Sequence, residues 1–253
     1  MTRRRLAAAG LAVAALAYLG WAVASIGFDA GRLREGIPHA ATMGAALLRP
    51  DFVSHADDLF EGVLESLAIA LVATAAGLVL ALPMALGAAR NVAPAAVYVV
   101  SRAVVSGCRA FPEMIVAIFF VVLVGFGPLA GALTLSLATA GFVAKLLAEE
   151  IEEIASAPAE AIVATGAGRA QVVLYGVLPQ ILPRLAGISL YRLDINFRES
   201  AILGIVGAGG IGATLNTAFG RYDYATASAV LLLIIGVVLV GETLSDRIRA
   251  RVT

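Results

Sequence analysis

Cysteine, histidine and lysine are almost missing from this chain, and each shortage closes off a class of function. The single Cys108 has no partner for an internal disulfide. His39 and His55 are the only imidazoles, too few for the clustered ligands of a metal centre. A membrane enzyme acting on phosphoryl or lipid substrates would need clustered Asp and His, or a nucleophile with its base, and that constellation is lacking. Lys145 is the one lysine among 18 basic residues, the formal net charge is zero, and no basic footprint for nucleic acid results. A Gly-x-x-x-x-Gly-Lys-Ser/Thr loop is also absent, so the chain cannot grip a nucleotide in that way. Charge itself is scarce: 14% of residues carry one and 60% are hydrophobic, whereas roughly a quarter of a soluble domain is charged. This composition belongs to an integral membrane protein.

What fills the chain instead is long apolar runs, at Leu6 to Phe28, Ser66 to Ala89, Met114 to Ala144, Leu185 to Phe219 and Tyr224 to Gly241. Runs near 20 residues match a helical span, and strands of a membrane barrel would be shorter and alternating. The expected fold is all-α, with about six transmembrane helices. Arg3, Arg4 and Arg5 before Leu6 to Phe28 fit a retained anchor over residues 1–28 with its N-terminus in the cytoplasm. Ala22-Val23-Ala24 leaves open a cleaved signal peptide. Residues 29–61, with Pro38, Pro50 and the apolar Met43 to Leu48, are expected outside, with room for one interfacial helix.

The core is expected over 62–248. Ser66 to Ala89 returns inward and Arg90-Asn91 with Pro94 marks a cytoplasmic turn. Ala95 to Val124 contains Arg102, Arg109, Pro112 and Glu113 and is too long for an upright span, which predicts a tilted or Pro-kinked helix. Gly125 to Pro128 is a turn, and Leu129 to Leu147 comes back to the water announced by Glu149, Glu150, Glu152 and Glu153. Leu182 to Ile205 crosses despite its charges, because the glycines from Gly204 to Gly212 argue against a regular helix further on. Tyr224 to Thr243 is the last span, and Arg247, Arg249 and Arg251 hold the C-terminus inside.

Between two spans lies Glu160 to Pro179, EAIVATGAGRAQVVLYGVLP. Pro158 suits a first helical turn and Glu160 the positive end of its dipole, so a helix starts near Ala157. Gly166 and Gly168 bend the segment, which resumes over Ala170 to Val177 and stops at Leu178-Pro179, giving two short helices at a shallow angle. This spacing resembles the coupling loop of ABC importer permeases: Glu160, Ala161, Gly166, Leu178 and Pro179 match, while Ile162 replaces an Ala and Gly176 an Ile. Three further segments resemble the phosphonate and phosphate class of those permeases: Arg109 to Glu113, Gly125 to Gly131, and Tyr191 to Arg198 leading into Val206 to Gly212. The likeness covers roughly Glu65 to Arg247.

The resemblance implies a type I fold of five core helices, here with one more at the N-terminus, in a multi-pass protein of the cell membrane. It implies a conduit, not an enzyme, for phosphonate- or phosphate-type oxyanions. A second copy of the chain, two cytoplasmic ATPase subunits that hold the ATP and Mg, and an extracytoplasmic binding protein are the implied partners; the chain itself binds no cofactor.

On a helix, Arg192, Asn196 and Glu199 share one face, while Asp194 and Arg198 form an i,i+4 pair roughly opposite. A charge at mid-bilayer costs at least about 2.5 kcal/mol, so these groups need partners or a wet cavity. Arg192 or Arg198 could lend positive potential to an oxyanion's passage, or the charges could be structural ion pairs; both stand. Arg192, Asn196, Arg198, Glu199 and Glu113 are the candidate pathway residues, with Glu113 expected to pair with Arg109 four residues before it rather than to carry a proton. Gly207, Gly209, Gly210 and Gly212 serve either close packing or a gate. An ATP-independent secondary transporter or channel for a small anion would use similar features, but would have no motor for the coupling segment to dock.

Overall fold

The computed structural model describes all residues except Met1, Ile26, Phe28, Asp29 and Thr253, together with the side chains of 2–7, 9, 30, 244–246 and 248–252 in the first two and last helices. The arginines expected to anchor the termini, at 3–5, 249 and 251, and Phe28 at the end of the anchor lie outside the described side chains. The chain divides into two units, Met1–Leu48 and Arg49–Thr253.

In the first unit, α1 covers Thr2–Ser25 and α2 covers Ala30–Leu47 with Pro38 inside it. The segment expected to carry one helix thus begins with α2.

In the second unit, α3 (Ala56–Ala88) starts before the first apolar residue of its run, so Ala56 to Glu61 belong to the helix and not to the preceding loop. Its partner is α6 (Pro128–Glu153). Gly62, Ser66, Ala70, Ala73, Gly77, Ala81, Ala85 and Ala88 recur every three or four residues and are buried. In lipid, where no hydrophobic force drives helices together, such a small-residue stripe allows the close approach that van der Waals attraction needs. A Cβ at Gly77 would stand 2.5 Å from the side chain of Thr139 on α6.

Residues 95–124 form two helices bent by 90°, α4 (Ala95–Ala110) and α5 (Glu113–Val124). Phe111 is held extended before Pro112, and the Pro112 carbonyl accepts the amides of Ile115 at 3.0 Å and Val116 at 3.3 Å, starting a new helix. This break is sharper than a kink, and it removes the expected i,i+4 pairing of Arg109 with Glu113, because the two now lie on different axes.

After α7 (Ser156–Ala164) and α8 (Arg169–Val172), a π turn at Val173–Val177 leads directly into α9 (Leu178–Gly204). The expected stop at Leu178-Pro179 is thus overturned: Arg169–Gly204 is one run of 36 residues. The backbone widens just ahead of the proline, with the Leu178 N–H bonding the Val173 carbonyl five residues back. The ring then falls at the start of α9, where its missing N–H matters least. A loop precedes the short α10 (Ile211–Gly220), and α11 (Tyr224–Val252) closes the bundle.

Among the described residues, four helices are long and apolar enough to cross a membrane, or five when α4 and α5 count as one broken span. The C-terminal ends of α3 and α6 meet where the Asn91 amide donates to the Ile151 carbonyl at 2.6 Å. Glu152 there accepts the backbone N–H of Arg90 at 2.9 Å and the guanidinium of Arg102 at 3.0 Å. At the opposite end, the Asp51 N–H bonds the Ala225 carbonyl and the His55 ring meets Thr226, drawing the starts of α3 and α11 together.

Candidate functional site

The segment at the α3–α6 meeting end is built on a glycine and a proline. Gly166 has φ +83°, a conformation that a side chain would strain, and it reverses the chain after α7. α7 then lies on the π turn: a Cβ at Gly176 would come within 3.0 Å of the Ala159 Cα and 3.3 Å of Ile162. Glycine in place of the bulkier residue of the resembled pattern thus allows this seat. Gln180 fastens the start of α9, its amide donating to the Gly176 carbonyl at 2.7 Å and the Ala155 carbonyl at 3.3 Å. Glu160 and Ala161 remain on the outer side of α7, exposed. Arg184 pairs with Glu150 at 3.5 Å nearby.

Along α9, two residues share a polar core. Arg192 is 4% exposed and Asn196 fully buried. The Arg192 Nε donates to the Thr139 hydroxyl at 3.0 Å, its Nη2 to Glu113 Oε1 at 3.2 Å, and its guanidinium carbon stands 5.4 Å from the centre of the Phe142 ring. Asn196 Nδ2 donates to Thr74 Oγ1 at 2.8 Å and reaches Thr139 Oγ1 at 3.0 Å. Thr74 in turn gives its own proton to the Ala70 carbonyl at 2.7 Å, so its lone pairs are free for Asn196. Four helices, α3, α5, α6 and α9, thereby share one network. Buried polar groups satisfied in this way hold helices in register.

Glu199, half-buried, extends the same face of α9 and lies close enough to Glu113 and Arg192 to feel both charges. Among the described residues, Glu113 Oε2 is the buried side-chain oxygen or nitrogen without a hydrogen-bond partner. Arg198 is not part of this cluster. It pairs with Asp194 at 2.9 Å on another side of α9, with its side chain 46% exposed. Thr74, Thr139 and Phe142 escape a reading of the sequence, since hydroxyls and rings inside apolar runs carry no local mark of their partner.

The glycine-rich loop packs tightly. The Gly127 N–H bonds the Gly207 carbonyl at 3.0 Å, and the Ile211 N–H donates to Ser66 Oγ at 2.9 Å. Gly209, at φ +78°, would drive a Cβ to 2.7 Å from the Pro128 nitrogen. Gly210 and Gly212 face Ser66 and Ala201 with equally little room. Beside this loop opens a cavity of about 310 Å³, lined by His55, Asp58, Glu61, Glu65, Arg221 and Asp223 among others. Asp223 caps the start of α11 by accepting the Thr226 N–H at 3.1 Å, and the Thr226 side chain, with this backbone bond, holds its carboxyl below the usual range.

Comparison with known proteins agrees with this geometry. Residues 63–253 match the family described as binding-protein-dependent transport system inner membrane component. The chain is 42% identical over 206 residues to the phosphate-import permease protein PhnE of Mycolicibacterium smegmatis, covering 81% of this chain but only 39% of that one. It is 40% identical over 222 residues to the phosphite transport system permease protein PtxC of Stutzerimonas stutzeri, covering 87% of this chain and 80% of the relative. Among solved structures, an inward-facing form of the MetNI methionine ABC transporter superposes with a TM-score of 0.69 at 30% identity, over 79% of this chain and 98% of that one.

Proposed function

This chain belongs to the family of binding-protein-dependent transport system inner membrane components, the permease subunits of ABC importers, and from that premise we propose what it carries and how it is driven. Two copies form the conduit for a phosphonate-, phosphate- or phosphite-type oxyanion across a cell membrane. Two cytoplasmic ATPase subunits, which hold the ATP and Mg, drive it, and an extracytoplasmic binding protein delivers the cargo. The oxyanion class is supported by the phosphate and phosphite permeases that this chain resembles over most of its length.

The observation that carries the coupling role is the exposed α7 seated on the π turn that opens α9. Force applied at Glu160, Ala161 and Gly166 reaches a spanning helix through Leu178 and Pro179 with no flexible linker between. Arginine distribution supports the orientation: Arg90, Arg102, Arg169 and Arg184 lie at the α7 end, against Arg49 and Arg221 at the other. The α7 end therefore faces the cytoplasm, as do both termini. Residues 1–28 are the anchor, 29–61 the outer segment and 62–248 the transport core.

Within that core, Arg192, Asn196, Glu199 and Glu113 border the pathway as one polar cluster, with Arg198 separate from them. Gly207, Gly209, Gly210 and Gly212 form its outer closure by close packing. The test is uptake of phosphate, phosphite and methylphosphonate by the complex in liposomes. Gly166→Asp and Glu160→Lys are expected to leave the permease in the membrane while cutting ATPase association and uptake at least tenfold. Normal uptake with normal association in both variants would defeat the coupling role.

A further inference from the structure

α5 packs along one face only. Only Ala117 and Val121 of its residues are buried, while Ile115, Ile118, Phe119, Val122 and Leu123 point outward, and the 90° break at Pro112 detaches it from the axis of α4. Its first residue, Glu113, carries the one ion pair that links α5 to another helix among the described residues, and that partner is Arg192 of α9. Arg192 is positioned tightly on its own side, by Thr139 and by the Phe142 ring. It lies on the helix that begins at the π turn beneath α7, roughly 21 Å along the axis from Leu178 at 1.5 Å per residue.

We propose that the Arg192–Glu113 pair is the tie through which movement of the α7-seated helix α9 is passed to α5, so that Arg192 acts as a positioning residue of transport and not as a ligand of the cargo. The proposal rests on the coupling role of α7. A guanidinium at 4% exposure with its donors directed to Thr139 and Glu113 has little surface to offer a passing oxyanion. Ala117, Phe120 and Val121 seat α5 on Ile69 and Ala73 of α3 and on Ala130 and Leu135 of α6, and the Glu113–Arg192 pair adds the ionic contact that reaches α9. With the tie cut, α9 still answers the ATPase, but α5 no longer moves with it, and ATP is spent without cargo moving.

The experiment is Glu113→Cys with Arg192→Cys in a Cys108→Ser background, in the full complex in liposomes, measuring ATP hydrolysed per phosphate, phosphite or methylphosphonate moved. Without a cross-link, this ratio is expected to rise at least tenfold over the Cys108→Ser parent. Bridging the two cysteines with a short bifunctional thiol reagent is expected to bring it back within threefold, since a covalent tie replaces the ionic one. An unchanged ratio before bridging overturns the proposal. So does a ratio that stays high after bridging, because side chains that touch cargo cannot be replaced by a linker. If the double variant does not assemble, Glu113→Gln decides: it keeps a hydrogen bond without the charge, and a three- to tenfold rise is expected, whereas no rise overturns the tie. A Cys108→Ser complex that moves none of the three oxyanions would count against the proposed cargo and not against the tie.

Discussion

Asn196→Ala tests whether the buried network holds the bundle together, and its cost can be worked from the bonds it removes. Asn196 is fully buried and donates to Thr74 at 2.8 Å and reaches Thr139 at 3.0 Å. Interhelical hydrogen bonds in membranes are worth about 0.6 kcal/mol on average and up to about 1.7, so the two together supply about 2 kcal/mol. Thr74 keeps its bond to the Ala70 carbonyl, while Thr139 keeps its bond from Arg192 but loses Asn196 Oδ1, which accepts its hydroxyl at 3.2 Å. Removing three side-chain atoms from a filled site adds about 1 kcal/mol for the space left behind. The sum is about 3 kcal/mol. At about 2–4 °C per kcal/mol for a chain of this size, the helical circular dichroism of the purified permease should melt roughly 6–12 °C lower at a fixed scan rate. Asn196→Leu fills the space without the bonds and should recover the smaller part, about 1 kcal/mol. The control is Glu149→Gln near the end of α6, where Glu149 is 44% exposed and its partner Lys145 39%; such pairs are worth about 0.5 kcal/mol, and a shift of at most about 2 °C is expected. The reasoning is refuted if Asn196→Ala melts within 2 °C of the wild type, or if Glu149→Gln falls as far.

Further expectations concern the two ends of the bundle. Hydrogen bonds from the Ser54 side chain and the Ser54 and Val53 amides lower the Asp51 carboxyl from 3.8 to about 2. A depressed folded pKa gives stability that is present above pH 3.8 and lost as pH falls towards 2. Hydrogen exchange over residues 51–55 should therefore be constant from pH 8 to 5, after correction for intrinsic rates, and quicken only below about pH 4. Single cysteines at Asp51 and Gln171 in a Cys108→Ser background should differ in reach: an impermeant reagent added outside labels the first and spares the second, and the reverse pattern would sink the proposed orientation. Gly209→Ala forces a side chain into φ +78° against the Pro128 backbone, at a cost of about 1–3 kcal/mol. A melt unchanged from wild type would show that the loop packs loosely enough to move freely.

The order of the spans, the loop character of residues 205–210 and the bend at Gly166 were legible in the sequence, because hydropathy, glycine and proline act over a few neighbouring residues. The same local rules misjudged Pro179. A proline after a helical stretch reads as a stop, but one extra residue in the π turn before it lets the run continue into α9. Helical periodicity also placed Arg192, Asn196 and Glu199 on one face and paired Asp194 with Arg198, both of which the fold keeps. The partner of Glu113 could not be read in that way. Four residues of separation favour Arg109 only if the helix is continuous, and the break at Pro112 turns Glu113 towards an arginine 79 positions further on. Thr74 and Thr139 are equally silent, since a hydroxyl in an apolar run is ordinary until Asn196 is brought against it from a third helix. Amino-acid order thus determined which segments form long apolar helices and where the backbone must bend. Which buried polar groups satisfy one another was decided by tertiary packing, because hydrogen bonds act across about 3 Å of space whatever the distance along the chain.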